Sequence, residues 1–120
     1  MLPCQVAIIV TSTTQGNVPA PALSARWQRT IFLAFCRWFG GATIYPGIGG
    51  WMSPEKGLIQ EAVYRVESNC DDAALAAHRQ DVFDIAGRLC RDMTQEAISV
   101  YVNGTLFFED GQSKQIRVTA

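Results

Sequence analysis

The sequence predicts an α+β fold in which two helices cover one face of an antiparallel sheet. Three observations predict it. Short apolar stretches rich in β-branched residues, several with period-two alternation, recur along the chain. Two longer stretches carry their apolar residues at spacings of three and four. Turn signals separate these stretches so that strand, helix, two strands, helix and strand follow one another. At 120 residues, 48% hydrophobic and 18% charged, the chain has the size and composition of one globular domain with its own core.

The first strand is predicted over Gln5 to Thr11 (QVAIIVT), whose apolar run suits a buried position. Ser12 to Pro21 collects Ser, Thr, Gly, Asn and two prolines and reads as a loop, with Pro19 and Pro21 suited to the entry of a helix. From about Ala22 to Phe39, Trp27, Ile31, Phe35 and Trp38 share one helical face, which Phe32 and Phe39 widen. Gly40-Gly41 ends that helix. Ala42 to Tyr45 is expected to form a short strand stopped by Pro46-Gly47. A longer strand follows over Leu58 to Ser68, with Leu58, Ala62, Tyr64 and Val66 on one side and Glu61, Arg65 and Glu67 on the other. Asn69-Cys70-Asp71-Asp72 reads as a helix start, and Leu75, Val82, Ile85, Leu89 and Met93 form the stripe of a helix reaching about Met93. Ala97 to Val102 is a strand, Asn103-Gly104 is a hairpin turn, and Thr105 to Phe108 returns. Gln115 to Thr119 is expected to add an edge strand.

The order β-α-β-β-α-β with extra β is the split βαβ arrangement called ferredoxin-like. The expected organisation is a single domain over 1–120, with a core of about 5–102 and a C-terminal β-hairpin extension over 103–120. The chain also resembles a group of small bacterial proteins with a ferredoxin-like core. The segments that carry the resemblance are Gly40-Gly41-Ala42-Thr43, Gly49-Gly50-Trp51, the strand glutamate Glu61, and Gln95-Glu96-Ala97-Ile98. By segment order it runs from residue 5 to 108 and implies the fold, with no activity attached.

Composition excludes several functions. A net charge of −1 and a sequence pI near 5.7 give no basic footprint for nucleic acid. The Lys/Arg-Gly-Phe/Tyr run of RNA-recognition modules is missing. The apolar run Val6 to Val10 is too short for a signal-peptide core, and Thr30 to Phe39, broken by Arg37, falls short of a bilayer span. No membrane association is expected. Cys4, Cys36, Cys70 and Cys90 contain no CxxC pair and share one histidine, His78, so a zinc site is not expected. Each lies in or beside apolar sequence, which suits free thiols in a reducing, cytoplasmic compartment. No cofactor is expected.

The chemistry-bearing residues gather around Gly40 to Trp51, where five of twelve positions are glycine. The glycine-rich stretch lacks both the dinucleotide fingerprint and a P-loop, because no helix follows and no Gly-Lys-Ser/Thr is present. It reads as a wide hairpin loop, with Trp51 either a lid over a ligand or an anchor of the loop. On the sheet face away from the helices, Thr43, Tyr45, Glu61, Arg65 and Tyr101 are expected to form a dimer surface, a ligand platform or an ordinary half-solvated face with cross-strand pairs. His78 and Asp81, three apart on a helix, read as a surface pair. No catalytic constellation is evident.

The leading expectation is therefore a homo-oligomeric module that binds a small molecule or protein partner through the glycine-rich loop and adjoining sheet face. One alternative is a small cofactor-free enzyme of isomerase or oxygenase type using Glu61 as acid or base. Another is a pure interaction protein, such as an inhibitor or sponge of another system.

Overall fold

The computed structural model describes residues 2–112 and the backbone of residues 115–117. Its main sheet has six antiparallel strands. In chain order these are β1 (Cys4–Thr11), β4 (Thr43–Ser53), β5 (Gly57–Cys70), β6 (Ile98–Val102), β7 (Thr105–Glu109) and β8 (Gln115–Arg117). A two-stranded ribbon, β2 (Thr13–Thr14) with β3 (Val18–Pro19), follows β1 and is joined by a 3₁₀ turn over Gln15–Asn17. The helices are α1 (Pro21–Phe39) and α2 (Asp72–Asp92). Across the main sheet the strands lie in the order β4-β5-β1-β6-β7-β8.

β1 lies inside this order because its sequence can be buried. Val6, Ile8 and Val10 are fully buried beneath the helices. Roughly 1.5–3 kcal/mol of transfer free energy accompanies each such apolar side chain. Helix α1 starts with Pro21 at its first turn and stops at Gly40, whose φ of 90° is left-handed and whose N–H closes onto Cys36 O at 2.9 Å. It buries Trp27, Ile31 and Phe35, one turn apart. Helix α2 is capped by Asp71, whose Oδ1 accepts from Ala74 N at 2.8 Å. It buries Val82, Phe83, Ile85, Leu89 and Cys90. The two helices are joined by Trp27 Nε1, which donates to Asp92 Oδ2 at 2.7 Å.

Most of the aromatic surplus of α1 is used inside the chain. Phe32, Trp38 and Phe39 pack on the core, and Trp38 stacks on His78 with ring centroids 5.5 Å apart. His78 Nδ1 also lies 2.9 Å from Asp81 Oδ2, so the expected surface pair forms with an aromatic neighbour.

The structure corrects the reading of the glycine-rich stretch. The chain does not stop at Pro46 and open into a loop: β4 runs unbroken through Pro46, Gly47, Gly49 and Gly50 to Ser53 and pairs with β5 along its whole length. None of those three glycines has a positive φ. β4 is the outer strand, and an edge strand accepts proline because one side of its backbone has no ladder to complete. The β1–β5 register ends at Thr11↔Val63. Beyond it the β4–β5 hairpin projects as a two-stranded arm that exposes Ile48, Trp51, Met52 and Leu58.

Candidate functional site

The site grows from the place where β1 ends. After Thr11 the chain turns away from the sheet and runs beside the arm toward α1. Four hydrogen bonds fix that turn. Ser24 Oγ donates to Thr11 O at 2.8 Å, Ala20 N to Ser12 O at 2.9 Å, Gln95 Nε2 to Thr13 O at 2.5 Å, and Gln15 N to Thr94 Oγ1 at 3.1 Å. Thr13 is thereby buried, and its Oγ1 donates to Glu61 Oε2 at 2.5 Å. A groove of about 600 Å³ opens between this turn, the first turns of α1, and β5. Glu61 lies in its wall together with Thr13, Asn17, Gln28, Gln60 and Tyr64. Its size is that of a small-ligand site, and its lining pairs apolar surface with a few oriented polar groups.

The expected residues do not form one constellation. Arg65 turns away from Glu61: its Nε lies 2.9 Å from Glu67 Oε1, and its guanidinium sits 4.8 Å from the centroid of the Tyr101 ring. Tyr45 stands opposite Arg65 in the β4–β5 ladder and is half exposed. These residues share the sheet face opposite the helices, as the alternation predicts. Thr43, opposite Glu67, lines a separate depression of about 360 Å³ beside Gly40 and Gly41 at the end of α1. Trp51 is a strand residue of the arm, opposite Ile59 and 47% exposed. Glu61 alone of the expected set enters the larger groove.

Sequence reasoning missed Thr13, Gln28, Gln60 and Tyr64. One available signal was the hydroxyl run Ser12-Thr13-Thr14 placed directly after an internal strand and before a helix start. At the opposite end of the sheet lies a different carboxylate, Glu109, only 3% exposed. Burial pushes its carboxyl up from the ordinary range, partly opposed by the hydrogen bond it accepts from Gly111 N at 2.9 Å. Among the described residues, no cluster of three or more His, Cys, Asp or Glu side chains could hold a metal ion. No described helix is long and apolar enough to cross a membrane.

The architecture is thus a mixed α+β sheet with a ligand-sized groove at the end of an internal strand. The sequence matches no family model and no curated protein. The structure is similar to that of a phage SAM lyase, both in complex with S-methyl-5'-thioadenosine and in the apo state. Each comparison has a TM-score of 0.57 and covers 98% of this chain and 89% of the lyase chain, at 15% and 14% identity respectively. At that identity the likeness concerns the fold.

Proposed function

We propose that this protein binds a small molecule in the groove between the Ser12–Pro19 segment, α1 and β5, and that the ligand is an adenosine thioether or sulfonium. The observation that carries this reading is Glu61. Its carboxylate is held by Thr13 in the wall of a 600 Å³ groove. A fixed carboxylate can accept hydrogen bonds from a ribose or an amine, or face a sulfonium charge. The fold likeness to a lyase seen with S-methyl-5'-thioadenosine supports the choice of ligand class. Titration calorimetry with S-methyl-5'-thioadenosine and with SAM tests it. Saturable binding to the native protein that falls at least tenfold in Glu61→Ala is expected; no heat with either compound would end the reading.

A catalytic version of the same site is supported by the extent of the likeness, which spans nearly the whole chain. In it Glu61 acts on SAM, and chromatography of a SAM incubation reads the appearance of S-methyl-5'-thioadenosine. We read the core as ferredoxin-like, a reading supported by the β4-β5-β1-β6 order, with α1 and α2 both packed on that sheet. We also propose that the module works as a homo-oligomer in the cytoplasm. The exposed apolar arm supports the first point, because an isolated two-stranded ribbon is at best marginally stable in water. The four free cysteines support the second.

A further inference from the structure

Cys4 and Cys70 are 66 positions apart in sequence (70 minus 4) and stand directly opposite each other in the β1–β5 ladder. Both are free and buried, 3% and 1% exposed. Directly opposed residues of antiparallel strands project their side chains on the same face. The backbone hydrogen bonds around them define the type of pair. Asn103 N donates to Gln5 O at 2.8 Å, and Gln5 N donates to Asn103 Oδ1 at 2.9 Å, so the Gln5 backbone faces the β6 side. Cys4, the next residue back, therefore turns its backbone toward β5. Cα atoms in such a hydrogen-bonded pair lie about 5.5 Å apart, within the ~4.4–6.8 Å span of disulfides.

The Cβ atoms fit less easily. Opposed residues hold them about 4.5–5.5 Å apart, whereas a disulfide needs ~3.5–4.5 Å. A hydrogen-bonded pair lies at the long end of that range, so joining the sulfurs must draw the Cβ atoms together by roughly 1–2 Å. Strain of that kind makes a disulfide easier to reduce, which is the property of a reversible bond and not of a permanent staple.

We propose that Cys4 and Cys70 are a redox modification site, forming a reversible disulfide that ties the first strand to the end of β5. The oxidant is a low-molecular-weight disulfide of the glutathione class. One protein thiol, on losing its proton, attacks a sulfur of the small disulfide and releases one small thiolate, leaving a mixed disulfide on the protein. The second cysteine, also deprotonated, attacks the protein-side sulfur and releases the other small thiolate. Two protein thiols are oxidised to one S–S bond, and the oxidant is reduced to two thiols that take up the two protons.

Asp72 guards the pair. Cys4 Sγ donates to Asp72 Oδ1 at 3.2 Å. That hydrogen bond raises the Cys4 thiol above its ordinary pKa, and burial and the charges of Asp72 and Asp71 push the same way, with only Asn103 opposing. Burial raises Cys70, helped by Cys4, Asp71 and Asp72. The attacking species is the thiolate, so the site stays reduced under brief or weak oxidation at neutral pH and closes under stronger or sustained oxidation.

Incubation of the native protein with oxidised glutathione, alkylation of the remaining thiols and peptide mass spectrometry test this directly. A Cys4–Cys70 linked peptide is expected, with loss of two of the four alkylatable thiols, and it should form severalfold faster at pH 9 than at pH 7. Asp72→Asn should form it faster than wild type at pH 7. Cys4→Ser and Cys70→Ser should each abolish it. The same treatment in urea gives the pairing of an unfolded chain. A Cys4–Cys70 share of the linked peptides no higher in the folded protein than in urea would overturn the proposal. So would oxidation of Cys36 alone while Cys4 and Cys70 remain alkylatable.

Discussion

Thr13 and Glu61 meet through one short hydrogen bond, Oγ1 to Oε2 at 2.5 Å, across 48 positions of sequence. This contact joins the turn after β1 to the base of the projecting arm, and it orients the carboxylate in the groove. A hydrogen bond to a charged group contributes about 1.5–3 kcal/mol. Thr13→Val keeps the shape of the side chain and removes the hydroxyl. Binding of S-methyl-5'-thioadenosine should weaken by roughly tenfold or more, read by calorimetry, while far-UV circular dichroism stays unchanged. Wild-type affinity in this variant would show that the orientation of Glu61 does not matter to the ligand.

Trp27 is 8% exposed, and its indole N–H bridges α1 to the last residue of α2. Trp27→Phe removes that bond and part of the buried ring, at a cost of about 1–3 kcal/mol. Urea denaturation should show a lower midpoint with an unchanged slope, because the surface exposed on unfolding hardly changes.

Glu109 gives a stability term with a definite sign. Its carboxyl is raised in the folded chain, chiefly by burial. The folded state therefore binds the proton more tightly than the unfolded state. This contribution is fully present below the ordinary glutamate value, about 4.3, and is lost as pH rises through the raised folded value. Glu109→Gln removes the titration. The variant's stability relative to wild type should increase between pH 4 and pH 7 in parallel denaturation series. A constant difference across that range would show that the carboxylate is not destabilised by its site.

The arm supplies a prediction about assembly. Ile48 and Met52 are 77% and 76% exposed on the outermost strand of the sheet. The double variant Ile48→Ser, Met52→Ser should remain folded and shift the mass measured by light scattering down to the 13.2 kDa of one chain. An unchanged multiple of that mass would place the contact elsewhere.

Much of the fold was legible from local pattern. The alternation in residues 58–68 and 98–102 and the Asn103-Gly104 turn gave strands in the right places, because each signal acts within a few residues. The β4 error has a physical cause. Gly and Pro carry turn meaning only when the backbone must bend, and here pairing with β5 holds them extended. The groove was illegible because its members come from the turn after β1, from α1 and from β5, and only the tertiary pairing brings them together. The alternation places Glu61 on a sheet face with Arg65 and Tyr101, and nothing local in the loop-like Ser12 to Pro21 segment marks Thr13 as its partner. The expected strand over 115–119 lies partly outside the described residues, and its backbone at 115–117 does pair with β7.

The central place of β1 also sets a constraint on synthesis. This strand is made before both of its partners, carries no charged residue, and pairs on both sides with strands that end only at Cys70 and Val102. At roughly 5–20 residues per second, several seconds separate its emergence from that of its first neighbour. During that interval CQVAIIVT is an uncharged β-forming segment with both edges open. Of the two described helices that pack on it, α1 is the one made first. The apolar face of that helix is thus a cover for the nascent chain as well as a wall of the finished core.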